Sequence, residues 1–184
     1  MVTIEVAQSE SDLQGIKDLN VKNLYGANSA EDERSQGFVT CPYSVDDLRI
    51  MNTPYPHVVA KSNDIVVGYC LVMLKHLGDL MPVLQLMFEL MSQQYVNGEA
   101  INEIRHFTMG QVCVDKTQRG TGIFYRMYDH LKDQMQSNFD VVITEISALN
   151  TRSLRAHEKQ GFKTLKEYKA PDGHPWVVVY WDWR

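Results

Sequence analysis

Cysteine is scarce in this chain: Cys41, Cys70 and Cys113 stand far apart, form no C-x-x-C pair and have no histidine nearby at metal-ligand spacing. That argues against structural zinc and a disulfide framework, and the six histidines, scattered along the sequence, predict no metal. Basic residues are in the minority, 18 Lys and Arg against 23 Asp and Glu for a formal charge of -5, which leaves no overall positive field for nucleic acid or an anionic membrane. A cationic substrate fits slightly better. Long apolar runs are missing too, since the most apolar region is cut by Lys75, His76 and Asp79 before it reaches membrane-spanning length. The first residues, "MVTIEVAQSES", lack the basic start and apolar centre of a signal peptide. These absences together predict a reduced, cytoplasmic protein without nucleic acid or membrane as partner.

What is present is an ordinary globular composition, 44 % hydrophobic and 22 % charged over 184 residues, enough for one core. A single domain over residues 1–184 is expected, with a Met-rich helical insertion at about 78–100. "VTIEVA" alternates like a first strand, and "SESDLQGIKDLNVKNLY" places Leu13, Ile16, Leu19 and Leu24 at helical spacing behind a Ser entry. After a polar loop, "SVDDLRIM" reads as a short helix. "HVVAKSND" and "IVVGYCLVML" then form a hairpin turning on Asn63-Asp64. Met81 to Tyr95 is apolar almost all round a helix and must be covered: as core, as the wall of a substrate pocket, or as the face of a homodimer.

"IRHFTMGQVCVD" is a strand with an interior Gly110, which suggests a bulge or a close backbone approach. Behind it comes "QRGTGIFYRMYDHLKDQM", a glycine turn running into an amphipathic helix. A phosphate site needs successive backbone N–H groups, free of side chains, at a helix N-terminus whose dipole favours negative charge. Arg119, Gly120, Thr121 and Gly122 have those properties, and Arg119 and Lys116 add positive charge; a plain strand-to-helix turn uses the same residues. The Lys-[Ser/Thr] ending of a P-loop is missing, as are the third glycine and distal acid of a dinucleotide fold. The remainder reads as a strand "DVVITEIS", a helix "NTRSLRAHEKQ" entered at Asn150 and left at Gly161, and two closing strands, "FKTLKEYKA" and "PWVVVYWDW".

The register of Val114, Arg119 and Gly122, followed at the right distance by Asn150, Ser153, His157, Gly161 and Phe162 in "NTRSLRAHEKQGF", resembles the GNAT superfamily of N-acetyltransferases. The resemblance covers Arg105 to Arg184 well, and the earlier order of strand, helices and hairpin is consistent with it. At the last motif position, where the family prefers Gly or Ala, stands Phe124; where many members carry Tyr stands His157. The resemblance implies an α/β fold with a mixed, mostly antiparallel twisted central sheet of about six to seven strands and helices on both faces. It implies acetyl-CoA as cosubstrate, its pyrophosphate on the backbone of Arg119, Gly120, Thr121, Gly122, Ile123 and Phe124. The pantetheine would lie along Val112, Cys113 and Val114 in the manner of an added strand, with Asn150 and Ser153 completing the cofactor site.

The implied reaction moves an acetyl group to a primary amine of a small molecule or peptide by direct attack. A further acyl group, a hydroxyl acceptor, or a CoA-binding module without catalysis are the alternatives. His157, about two turns beyond Asn150, is placed as general acid by its alignment with the family's Tyr; otherwise it packs against Phe162. Glu145, in the middle of an apolar strand, is costly there unless paired or facing a cavity, and is the candidate to bind or deprotonate the acceptor ammonium. Glu103 is a weaker candidate for that task. Cys113 as a nucleophile lacks a histidine partner and reads as core. Arg152, Arg155 and Lys159 form a solvated face or reach the ribose phosphate.

Overall fold

The computed structural model describes residues 1–80 and 85–184. The chain folds as two compact units, Met1–Val72 with Gly110–Met135, and Met73–Met109 with Gln136–Arg184.

In the first unit, strand β1 (Val2–Val6) leads into helix α1 (Glu10–Lys22) through a capping box. Ser9 Oγ accepts the Asp12 N–H, and the Asp12 carboxylate accepts the Ser9 N–H in return. Leu13, Ile16 and Leu19, one face of α1, are buried. Ser29 caps α2 (Ala30–Gln36) and Ser44 caps α3 (Val45–Met51). Helix α2 occupies the stretch read from the sequence as a polar loop. Its polarity hid it: the first turn carries Glu31, Asp32 and Glu33, and its buried member, Glu33, is held by accepting the Gly26 N–H.

Strands β2 (Val58–Ser62) and β3 (Ile65–Met73) form the expected hairpin, with Asn63 and Asp64 at φ 49° and 62° as a tight two-residue turn demands. β1 pairs with β2, and β2 with β3, both antiparallel. The C-terminal half of β6 (His106–Val114) and the helix α5 (Ile123–Met135) complete the unit. Met127, Tyr128, Leu131 and Met135, at helical spacing along α5, are fully enclosed.

The second unit begins at Met73 with a 3-10 helix, Lys75–Leu80, and its α4 (Gln85–Ser92) buries Met87 and Met91. Residues 81–84 of the expected Met-rich helix lie outside the described residues. The helix stops at Ser92, short of Tyr95, because a small hairpin follows: β4 (Tyr95–Val96) and β5 (Glu99–Ala100), turning on Asn97 and Gly98 with φ 52° and 87°. The N-terminal half of β6, β7 (Val141–Ser147), α6 (Thr151–Gln160), β8 (Lys163–Lys169) and β9 (Pro175–Asp182) make the rest.

Strand order is β1-β2-β3-β6-β7-β9-β8, a seven-stranded, mostly antiparallel sheet with helices, which is the mixed α/β class expected. β6 and β7 are parallel and α5 is their crossover, as a parallel pair requires. Their pairing runs only from His106↔Val141 to Thr108↔Ile143, ending two residues before Gly110. No helix among the described residues is long and apolar enough to cross a membrane.

Candidate active site

The glycine turn lies in the first unit. Gly120 and Gly122 adopt φ of +80° and +83°, a left-handed backbone that L side chains rarely hold, and a Cβ added at either meets nothing within 4 Å. The glycines are therefore required by backbone conformation, and the space beside them is open. Helices α1, α2, α3 and α6 are each capped by a Ser or Asn side chain. At the entry to α5, Gly122 stands before Ile123, and the Thr121 hydroxyl donates to Gln118 O. The first N–H groups of a helix have no partner within it, so this end suits an anion. On this observation the residues present fit the diphosphate of coenzyme A.

The basic residues do more than the sequence suggested. The Arg119 guanidinium donates through Nε to Val114 O, through Nη1 to Gln36 O and through Nη2 to Asn23 Oδ1, at 2.9, 2.8 and 2.7 Å. It ties the end of β6 to the ends of α1 and α2. Three of its five N–H groups are thus taken by neutral backbone and side-chain oxygens, while its positive charge stays at this end of α5. Lys116, exposed, pairs with Asp32 at 2.8 Å. Phe124 is half-buried and lies against the enclosed ring of Tyr128, centroids 5.0 Å apart, so it packs with its own helix.

Along β6, Cys113 points inward, 6 % exposed, while Val112 and Val114 are half-exposed on the other face. Burial pushes the Cys113 thiol up to about 12, which makes it inert as a nucleophile. From Met109 to Val114 the strand has no β7 partner. Beside it lies a polar cluster the sequence did not reveal. Gln111 Oε1 accepts from Tyr69 OH at 2.6 Å and from Asn20 Nδ2 at 2.7 Å, and Gln111 Nε2 donates to Cys41 O at 3.1 Å. The members come from α1, a loop, β3 and β6, with 42 to 91 residues between side-chain partners, a separation no local pattern reports. Asn20 Oδ1 and Tyr43 OH, both buried, have no hydrogen-bond partner among the described residues.

The second unit holds the other predicted residues. Asn150 caps α6, its side chain accepting the Ser153 N–H at 3.1 Å, so the helix-entry role is realised. His157, on the same helix, is 1 % exposed. Its Nδ1–H donates to Ser153 O at 2.8 Å, and burial lowers its pKa to about 4. The ring is neutral at pH 7 and packed, which corrects the picture of an accessible proton donor: enclosure by Phe162 and the helix removes the solvation an imidazolium needs.

Glu145 and Ser147 alternate on one face of β7. The Glu145 carboxylate accepts the hydroxyl of Tyr168 on β8, and Ser147 Oγ lies 2.8 Å from His174 Nε2 in the turn before β9. Burial raises the Glu145 pKa to about 7, with the Tyr168 hydrogen bond opposing the rise. A half-buried carboxylate of that pKa can exchange a proton at neutral pH. Glu103, Arg152, Arg155 and Lys159 are exposed. Among the described residues no group of His, Cys, Asp and Glu is placed to hold a metal ion.

Comparison with known proteins bears on the turn and on α6 together. A likeness in fold extends over whole chains of several solved structures. The NatC complex bound to Gag peptide and CoA matches with TM-score 0.69 at 17 % identity, covering 98 % of each chain. The ribosomal-protein-S18-alanine N-acetyltransferase from Escherichia coli matches with TM-score 0.63 at 14 % identity, covering 99 % of this chain and 94 % of that one. A Salmonella typhimurium protein described as a candidate acetyltransferase, solved with its cofactor acetyl-CoA, matches with TM-score 0.63 at 16 % identity over 100 % and 94 % of the two chains. A search of curated sequences found no match. The family model "Acetyltransferase (GNAT) family" matches residues 23–162, a span that holds both the glycine turn and the Asn150-to-Phe162 helix, and the chain belongs to that family.

Proposed function

We propose that the protein is an acetyl-CoA-dependent N-acetyltransferase that moves an acetyl group to a primary amine of a small molecule or peptide by direct attack. The observation that carries the proposal is the turn from Arg119 to Gly122: two left-handed glycines with open space beside them, immediately before the first residue of helix α5. The fold likeness to proteins described with CoA, with acetyl-CoA, with a Gag peptide and as acting on a ribosomal protein alanine supports coenzyme A as donor and a peptide amine as one acceptor class.

Bound acetyl-CoA supplies an activated thioester whose thiol, of ordinary pKa about 8.5, leaves without a strong acid. Backbone N–H groups of Gly120 to Phe124 hold the diphosphate, and the β6 backbone beyond Thr108 offers amide partners to the pantetheine. N–H groups there would also receive charge developing on the acyl oxygen, an effect worth about 3 kcal/mol per donor. Glu145 takes a proton from the acceptor ammonium, so that the neutral amine attacks the acyl carbon and the thiolate leaves, and Asn150 and Ser153 shape the entry of α6. Its free cysteines are consistent with the reducing, cytoplasmic location proposed for it.

The test is thermal stabilisation by acetyl-CoA, CoA and ATP in parallel, followed by thiol release with a panel of amines and amine-terminal peptides. Stabilisation by both CoA species with release on an amine is expected. Stabilisation by ATP alone would overturn the donor assignment. CoA binding without release on any acceptor would favour a binding module, a reading that the enclosed His157 makes worth carrying.

A further inference from the structure

Resting on the reading of Glu145 as the group that takes the acceptor's proton, we infer that Tyr168 is its positioning residue, a phenol that reaches across β9 to hold the carboxylate in one orientation as an anion. β7 and β8 are not neighbours, for β9 lies between them. The register places Glu145 opposite Val178 and Val178 opposite Lys166, while Ser147, Trp176 and Tyr168 form the next row. Directly paired residues share a face of the sheet, so all six side chains belong to one surface. Tyr168 stands two strands away, about 10 Å of sheet, and one pleat along. Its hydroxyl nevertheless donates to Glu145 Oε1.

The choice of partner matters more than its presence. Lys166 shares Glu145's own row, yet it is exposed and the carboxylate is bonded to the phenol. A lysine ammonium would hold Glu145 as a fixed anion of low pKa, a poor base. A neutral phenol supports the charge by one hydrogen bond and still lets the carboxylate take a proton near neutrality. Burial raises Glu145 to about 7 and the Tyr168 bond resists that rise. Tyr168 itself is driven well above the ordinary phenol range, by burial first and by the Glu145 charge second, so it remains a donor across the working pH range.

The other polar and titratable groups on this face are few. Ser147 pairs with His174 at the row beyond, His174 stacks near Trp176 with centroids 4.8 Å apart, and Lys166 lies toward solvent. β9 places Trp176 and Val178 opposite this stretch and Tyr180 one row the other way, opposite Ile143, with exposed Lys163 of β8 paired to Tyr180. On β6, buried Thr108 sits in register with Ile143, one row from Glu145, and His106 with Val141, two rows away. None of these takes the hydrogen bond that Tyr168 donates.

The experiment compares wild type, Tyr168→Phe and Glu145→Gln in thiol release from acetyl-CoA with an amine, across about pH 5.5 to 9.5 where the limb of a base near neutrality falls. Phe keeps the ring and its packing, and melting of each variant checks the fold. Wild-type kcat/KM is expected to rise through about pH 7. Tyr168→Phe should move that limb up by about one pH unit, lowering kcat/KM about ten-fold near pH 6 and leaving it unchanged at the alkaline end, with the KM for acetyl-CoA unaltered. A Tyr168→Phe profile that superimposes on wild type, or that is lower by one factor at every pH, overturns the role of Tyr168 while Glu145 stands. Full activity in Glu145→Gln, with its limb intact, overturns instead the reading of Glu145 on which the inference rests.

Discussion

The imidazole of His157 meets the ring of Phe162 edge-on, centroids 5.0 Å apart and planes at 81°. Phe162 in turn lies 5.6 Å from Trp181, so the imidazole is one end of an aromatic row at the foot of α6. Its partners are those of a packing residue. His157→Phe, which keeps a ring in the same space, is expected to retain more than about half of wild-type turnover. His157→Ala should destabilise the fold by about 3 kcal/mol, as large-to-small core substitutions do. Steady-state rates and urea midpoints of the two variants check this, and loss of turnover in a well-folded His157→Phe would return the residue to the chemistry.

Acid should unfold the protein through two buried imidazoles. His57 is 0 % exposed, accepts the Val72 N–H at Nδ1 and donates through Nε2 to Leu48 O; burial lowers its pKa to about 4. His157 is lowered likewise. Both folded pKa values lie below the unfolded value of about 6.5. The unfolded chain therefore binds more protons between those limits, and the stability of each site, complete above about 6.5, is lost as pH falls through about 4. At 1.36 kcal/mol per pH unit, each ring accounts for about 3 kcal/mol. Urea midpoints at neutral pH and in mild acid measure the drop, and His57→Gln should make it shallower by about half. Equal acid sensitivity in that variant would show that other groups control the transition.

Arg119→Lys is expected to damage more than one loop. The guanidinium serves three oxygens on β6, α1 and α2 in a planar fork that an ammonium cannot reproduce. A loss of about 2 kcal/mol in stability should accompany weaker CoA binding, because the turn that carries Gly120 and Gly122 is held at its first residue. Calorimetric titration with CoA and thermal melting test the two effects together; unchanged values in both would mean that the staple is dispensable.

Gly122→Ala and Gly161→Ala separate ligand binding from packing. At Gly122, φ is +83° and a Cβ meets nothing within 4 Å, so the substitution strains the backbone by about 1 to 2 kcal/mol and places a methyl in the space proposed for the diphosphate. CoA affinity should fall at least about ten-fold, by roughly 1.4 kcal/mol or more. At Gly161, φ is +106° and the Cβ would stand 3.1 Å from Trp181 Nε1. That variant should lose stability while its residual folded fraction binds CoA normally. Titration calorimetry and melting of both variants give the comparison.

How much was legible in advance follows from which interactions are local. The hairpin at Asn63-Asp64, the caps at Ser9, Ser44 and Asn150, the left-handed Gly161 and the glycine turn before α5 are all set by backbone preferences of a few adjacent residues, and each was readable from its neighbours. So was the order of elements that the spacing from Val114 to Phe162 implies. Helix α2 escaped because its stability comes from a cap and one buried carboxylate, with little apolar periodicity to betray it.

The sequence by itself therefore determined the turns, the caps, the family and the backbone that would hold a diphosphate. Tertiary structure alone decided what the long side chains do. Arg119 is spent on Gln36 and Asn23, 83 and 96 residues away, and Glu145 meets Tyr168 only because β9 inserts between their strands. Burial and cross-strand register are properties of the assembled sheet, so no window of sequence contains them. His157 is packed and bonded within its own helix, while Glu145 is bonded across strands to Tyr168, and only the assembled fold separates these two environments.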